Sequence, residues 1–498
     1  MTRRSTRRWA TLALAGLALV GLAGVALARP GGGESFSGGG GHGGGNGGGG
    51  DAGAIFELLY WILRLCIYYP KVGLPLLGLL IGYVVYSAYK QQKNKDWDSG
   101  PPVTLKRTAS LDPLRRFDPD FSQAVFEDFA FRLFSTAHRA RHSTESLATV
   151  APYVGPAARQ HLQARAPGEV VESVVVGAMR IFRVDIPRHK ADEHGHPTRV
   201  SIAIEIEANV TTQRSTAYTV EHWIFTREAT RTSKPPGATR GFPCPNCGAP
   251  WQATASGSQV CAYCGEVVDN GRFDWLVEQI TLVSSDRRPP TLTASVEERG
   301  TDLPTYIARD VDARWHELER DDPALTEQNL VARLNLIYRQ VNTAWSNNDL
   351  RPARGVVSDG LFDYLTYWVQ TYQKQKLRNV LVDMGITHTL VAKIVRDRWY
   401  DAVTIRLWAQ GKDYLVHTDS GRVVRGSKSK VRRYSEYWTL IRARSRRGAP
   451  NDQPTCSNCG APLAITMAGE CEHCHAHVTA GEFDWVLSKI EQDDTYRG

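Results

Sequence analysis

Apolar residues recur every three or four positions along two separated stretches: Phe126, Phe129, Leu133, Ala137 and Leu334, Ile337, Val341, Ala344. That period lines one face of a helix, so each stretch predicts an amphipathic helix. A further helix is expected after each, over VGPAARQHLQAR and DGLFDYLTYWVQTYQKQK. The chain then turns β-rich. VESVVVGAMRIFRVDI, RVSIAIEIEANVTT and AYTVEHWIFTRE read as strands in the first half, and RNVLVDMGITHTLVAKIV, DAVTIRLWAQGKDYLVHT and RRYSEYWTLIRA match them in the second. Helices followed by an antiparallel meander make each unit α+β. The segment from Ser284 to Pro304, with its paired prolines and charges, links the two.

The N-terminal region has another pattern. An Arg-rich start, the apolar run ATLALAGLALVGLAGV and the small-x-small site Ala26-Leu27-Ala28 make residues 1–28 a secretory signal peptide, with an uncleaved anchor as the competing reading. Residues 29–53 are Gly-rich and offer no side chains for a core. In residues 54–71, Glu57, Arg64 and Lys71 fall near one helical face. The segment reads as an amphipathic helix lying in the membrane interface; a second span is the alternative. Residues 72–89 are uncharged for 18 residues, about the minimum for a transmembrane helix, and Lys90, Lys93 and Lys95 follow. Positive residues stay in the cytoplasm. The expected topology is therefore a membrane crossed once after signal removal, with the C-terminal domains cytoplasmic. A linker at 90–114 leads to a first domain at 115–285, and a linker at 286–319 leads to a second at 320–492.

Nine cysteines occur, and eight form two sets of paired C-x-x-C knuckles. Cys244, Cys247, Cys261 and Cys264 lie in a ribbon at 242–268; Cys456, Cys459, Cys471 and Cys474 lie in a ribbon at 454–478. Each ribbon precedes the same tripeptide, Phe273-Asp274-Trp275 and Phe483-Asp484-Trp485. Four thiolates in this spacing suit one tetrahedral Zn2+ per ribbon, two structural sites in all, with iron as the chemical alternative. A reducing compartment favours thiolates over disulfides. Four sulfurs leave no open coordination position, so catalysis at the metal is not expected. His473, His475 and His477 crowd the second site, whose cysteine set is complete without them.

Charge narrows the partners only locally. The 498 residues carry a formal charge of +8, of which Arg3, Arg4, Arg7 and Arg8 supply four. The remainder is too dilute to indicate nucleic acid, and a membrane tether argues against that partner as well. Arg425, Lys428, Lys430, Arg432 and Arg433 cluster in a hairpin-like turn, with Arg442, Arg444, Arg446 and Arg447 beyond the next strand. Beside a bilayer such a cluster is a candidate for anionic lipid; a solvated loop is the bland alternative.

The helix pair, the long strands and the repeated E-x-W-x-x-x-R strand (Glu221 to Arg227, Glu436 to Arg442) resemble the C-terminal domain of the mitochondrial inner-membrane import-motor tether and the bacterial Tim44-like domain proteins. The resemblance covers about 115–285 and 320–492. It implies a nuclear-transport-factor-two-like cone in each half, a curved sheet wrapped by helices around an apolar pocket. The duplication and the inserted ribbons depart from the mitochondrial form.

No nucleophile motif, phosphate loop or open metal site stands out, so no catalytic or cofactor-binding residue is assigned. Glu221 and Glu436 read as outward-facing partners of strand arginines, with pocket acids as the other reading. The expectation is a non-enzymatic, membrane-anchored binding or scaffold protein. Its cones would hold a lipid, an apolar ligand or a protein client. A cone-pocket hydrolase or isomerase and a nucleic-acid-binding ribbon are the alternatives.

Overall fold

The computed structural model describes residues 108–287 and 301–498 apart from 166–167, 237, 239–240, 254–258, 457, 467–468, 477–480, 483, 494–495 and 497, together with scattered positions between Arg64 and Val85. The signal peptide and Gly-rich segment lie outside the described residues, as do the interfacial helix and the span but for those positions. Among the described residues no helix is long and apolar enough to cross a membrane.

Four helices open the first half: α1 (Asp112–Phe117), α2 (Gln123–Ala140), α3 (Thr144–Ala148) and α4 (Pro156–Ala164). Then β1 (Val171–Asp185), β2 (Arg199–Thr212), β3 (Thr216–Glu228) and β4 (Leu276–Arg287) pair as an antiparallel meander in chain order. The second half runs α5 (Val311–Asp321), α6 (Glu327–Ser346), a 3-10 turn (Arg351–Val356), α7 (Asp359–Lys374), β5 (Leu377–Arg396), β6 (Tyr400–His417), β7 (Val423–Gly426), β8 (Arg432–Ala443) and β9 (Val486–Gln492). Its sheet is ordered β5-β6-β8-β9, with β7 on β6. The six strands expected before the ribbons are present.

Local chemistry starts the two long helices at matching places. Ser122 Oγ accepts the Val125 N–H at the head of α2, and Thr326 Oγ1 accepts the Asn329 N–H at the head of α6, where Asn329 completes a capping box. Each helix buries its apolar stripe in a separate core. Phe126, Phe129 and Leu133 meet Trp223 and Phe225 in one; Leu334, Ile337 and Val341 meet Ile405 and Trp438 in the other.

Two boundaries differ from the sequence reading. Leu111 and Leu114, at the end of the expected linker 90–114, belong to the first core, and Val311 and Leu318, in the expected linker 286–319, belong to the second. Ala109 N–H donates to Ile181 O at 2.9 Å and Ala308 N–H to Ala392 O at 2.8 Å, so each entering chain is tied to the outermost strand of its own sheet. At six residues, α1 is too short to display a helical period.

The E-x-W-x-x-x-R strands place Glu, Trp and Arg on one face, since residues an even number apart share a side of a strand. That face is the inner one. Glu221, Trp223 and Arg227 are each 0% exposed, and Glu436, Trp438 and Arg442 are nearly so. The outward placement expected for Glu221 and Glu436 is thus corrected: both are buried, and in each the paired indole Nε1 donates to the carboxylate at 2.8 Å. The arginines reach across the fold. Arg227 donates to Asp118 at 2.6 Å and lies 4.5 Å from the Trp275 ring centroid; Arg442 donates to Asp322 at 3.0 Å and lies 4.7 Å from that of Trp485.

Removing one partner of such a pair strands a buried charge, at a cost of about 3–5 kcal/mol. Arg442→Ala should lose about that much stability in chemical denaturation. Lys430→Ala, at an exposed position, should change it by less than about 0.5 kcal/mol.

Candidate metal centres

The eight ribbon cysteines converge into two tetrads, each with all four Sγ atoms within 4.8 Å of one another. In the first, Cys244–Cys264 and Cys247–Cys261 sulfurs are both 3.8 Å apart; in the second, Cys456–Cys474 is 4.0 Å and Cys459–Cys471 is 3.9 Å. A tetrahedron with metal–sulfur bonds of about 2.3 Å requires sulfur separations of about 3.8 Å. A disulfide requires about 2.0 Å, and all eight are free thiols. The donor set therefore fits a tetrahedral ion such as zinc.

Four copies of one turn build these sites. The first cysteine of each knuckle accepts, through its carbonyl, the N–H three residues past the next position: Gly248 to Cys244 at 2.9 Å, Gly265 to Cys261 at 2.9 Å, Gly460 to Cys456 at 2.8 Å, and His475 to Cys471 at 2.8 Å. That fourth position is left-handed, with φ of 75°, 70°, 75° and 57° in the same order. Glycine takes it without strain in three knuckles. His475 occupies it in the last. This accounts for one of the crowding histidines: it shapes the turn, and the tetrad among the described residues contains only sulfur. His477 lies outside the described residues.

The sulfurs are not equivalent. Burial pushes the Cys244 and Cys456 thiols up to about 12, so these two hold charge only when a cation shares it. The backbone N–H of Glu266 and the amide of Asn246 bring Cys264 down to about 7; the amide of Asn458 and the N–H of Ala476 bring Cys474 down to about 6. Asn246 and Asn458 are the middle residues of the two CxNC motifs. Their Nδ2 atoms lie 3.6 and 3.4 Å from those sulfurs, contacts that the sequence pattern alone did not reveal.

Each ribbon is anchored to its sheet and helices. Tyr153 Oη donates to Pro243 O and Trp251 Nε1 to Ala148 O, both at 2.8 Å. In the second half Leu463 joins the core, and a Cβ on Gly355 would come within 2.8 Å of it. Only glycine allows that approach.

The other sequence candidates are scattered. Lys428, Lys430 and Arg433 are exposed and Arg425 is half-buried. Arg432 is buried against Asp413 at 3.4 Å and does not reach the surface. Beyond the strand, Arg442 is buried, Arg444 pairs with Asp321 at 3.3 Å, and Arg447 donates to Asp321 O. At that strand end Arg442 and Arg444 meet carboxylates, whereas Arg446 and Arg447 donate to backbone carbonyls.

A buried polar cluster was not anticipated. Glu221 accepts from Arg165, from Trp223 Nε1 and from His138 Nε2 at 3.3 Å. Burial alone would raise its pKa, but His138, Arg165 and Trp223 outweigh that and hold it below the usual carboxylate range. Burial lowers the His138 pKa below its ordinary value, against the raising effect of Glu221. In the second half Gln492 Nε2 donates to Glu436 at 3.0 Å. Both acids have their oxygens engaged by the protein itself.

Metal analysis of the purified chain should give about two ions per molecule, falling to about one in Cys459→Ser. Asn458→Ala should weaken retention against a chelator by about tenfold without altering the stoichiometry at saturation.

No curated protein matches the chain. A solved structure described as an Ntf2-like protein involved in plasmid conjugation aligns over 74% of this chain and 96% of its own, at 8% identity and a TM-score of 0.16, too loosely to bear on the shape of this molecule. Residues 312–453 match the Tim44-like domain family, from α5 through β8 to the threshold of the second ribbon. The chain thus carries a Tim44-like domain in its second half.

Proposed function

We propose that the chain is a membrane-anchored, non-enzymatic binding and scaffold protein with two Tim44-like units in tandem, each of nuclear-transport-factor-two-like build and each stapled by a structural zinc ribbon. The anchor is the apolar segment 72–89, behind a signal peptide, in the bacterial inner membrane. The units face the cytoplasm, where the thiolates stay reduced and hold zinc.

The carrying observation is the Tim44-like domain at 312–453. The parallel layout of residues 108–287 supports reading the first half as a second unit: the same capped helix, the same buried Glu–Trp and Arg–Asp pairs and the same ribbon recur there. The buried interiors favour surface binding over a ligand held inside. Trp223, Trp438 and Trp485 fill positions that a cone would offer to a lipid, and both candidate acids are engaged. This weighs against the hydrolase or isomerase reading and against an apolar ligand within the sheets.

A protein client and the anionic bilayer are then the expected partners. The lipid surface is the turn bearing Arg425, Lys428, Lys430 and Arg433, without Arg432. Val424 and Val431 are exposed beside these cations, giving the turn an apolar edge as well as charge.

A soluble fragment beginning near Ser99 should sediment with anionic vesicles and not with neutral ones. Binding should weaken as salt shortens the Debye length from roughly 10 Å at 0.1 M to about 3 Å at 1 M. Replacing Lys428, Lys430 and Arg433 by Ser should reduce it with metal content unchanged. Equal recovery with both lipids would remove the membrane surface from the proposal.

A further inference from the structure

The turn between the first two strands is short in one half and long in the other. Between β5 and β6 the chain needs only Asp397 to Trp399, and Trp399 Nε1 donates to Asp120 O of the first half at 3.2 Å. Between β1 and β2 it runs from Ile186 to Thr198, reading IPRHKADEHGHPT. The base of this hairpin is held. Thr198 N–H donates to Lys190 O at 3.0 Å, Ala191 bridges to Pro197, and Lys190 Nζ lies 5.3 Å from the centre of the Phe117 ring on α1. Its tip, Asp192 to His196, is exposed throughout.

Asp192 orders that tip. Its Oδ1 accepts the N–H of His194 at 2.9 Å and of His196 at 2.8 Å. Its main chain closes the turn, with Asp192 N–H on His196 O at 2.8 Å and Gly195 N–H on Asp192 O at 3.0 Å. Gly195 is left-handed, with φ of 79°, a conformation glycine takes without strain. With Oδ1 committed, Oδ2 lies 3.4 Å from His196 Nδ1. A carboxylate there favours the proton on Nδ1 and leaves the Nε2 lone pair for a metal, the usual orientation of metal-binding imidazoles. The rings of His194 and His196 stand 6.3 Å apart between centres. Two imidazoles on one ion, with metal–nitrogen bonds of about 2.1 Å, have ring centres between about 4.5 Å at a right angle and about 6.4 Å when opposed. The observed pair falls inside that span. Rotation about the exposed side-chain bonds closes it toward the tetrahedral value of about 5.2 Å.

We propose that the tip of the β1–β2 hairpin is a third metal site, binding a divalent transition cation such as Zn2+ or Ni2+ through His194 and His196, with Asp192 as the positioning carboxylate. Among the described residues only the cysteine tetrads bring three or more donors together. The hairpin therefore supplies two nitrogens and leaves the other coordination positions to water or to a ligand from outside. It differs in kind from the ribbons: four thiolates enclose an ion, whereas an open two-nitrogen site exchanges it. The ion washes out on purification while the ribbons keep theirs. Imidazoles select zinc, nickel or copper over calcium and magnesium, which prefer oxygen. The exposed Glu193 adds negative charge beside them and favours a cation.

The probe is Ni2+ alone, supplied by equilibrium dialysis to the untagged full chain in detergent with its ribbons loaded with zinc. Nickel and zinc are then measured on the same sample. Wild type should retain about one Ni2+ per chain with its zinc unchanged. His194→Ala and His196→Ala should each weaken nickel binding by at least about tenfold, and the double variant should abolish it. Asp192→Asn keeps an oxygen for the two N–H groups and loses the charge beside Nδ1; it should weaken binding by about tenfold. All three positions are exposed, so zinc content and circular dichroism should stay unchanged, and they report folding in every variant. Nickel held equally by the double variant and wild type would place it on other histidines, such as His473 and His475 beside the second ribbon, and would overturn the proposal. No nickel retained by wild type would overturn it as well. Asp192→Asn binding as tightly as wild type would overturn the positioning role of Asp192.

Discussion

A buried arginine on the strand before each ribbon organises each half. Arg227 and Arg442 project from β3 and β8 toward an aspartate that ends the first helix of the unit, Asp118 or Asp322. Their guanidinium planes also lie against Trp275 and Trp485, the residues at which the chain leaves the ribbon and re-enters the sheet. One cation therefore joins three segments that are remote in sequence. It cannot be left unpaired inside the protein without a large penalty, so the helix turn, the strand and the ribbon exit must assemble together.

That constraint explains how a ribbon can be inserted into a meander without disturbing it. The last strand resumes pairing directly after the tryptophan, at Leu276 in one half and Val486 in the other. Asp274 and Asp484 side chains accept the N–H of the following tryptophan at 2.8 and 2.7 Å, fixing the bend. The metal-site sulfurs then only have to close a loop whose two ends are already held. Four thiolates do this with no open position, consistent with a staple.

The halves diverge where packing is not dictated by these pairs. His222 in the first sheet corresponds in register to Tyr437 in the second: each sits one residue past the buried glutamate. Tyr437 Oη accepts the Tyr306 N–H at 3.0 Å, and its ring stacks on Tyr496 at 3.9 Å. Arg406 adds Thr301 O and Asp493, both at 3.0 Å. The second sheet thus holds both the chain entering it and the chain leaving it against one face. His222 instead contacts Glu205 at 3.1 Å within its own sheet.

The strands, the two long capped helices and the sulfur tetrads were legible in the sequence because their causes are local. A β-rich run, a helical stripe and a C-x-x-C turn each depend on residues a few positions apart. Left-handed glycines in the knuckles follow from the same short-range geometry. The fate of the charges was decided only by tertiary structure. Arg442 meets Asp322 across 120 residues, Arg432 meets Asp413 across 19, and Glu221 meets His138 across 83. A basic run such as Lys428 to Arg433 looks uniform as a string, yet Lys428 and Lys430 stay exposed in the loop while Arg432, the first residue of β8, turns into the core. No local pattern states which cation will find a buried carboxylate, because the stabilising partner belongs to another element and the desolvation that makes it necessary exists only after packing.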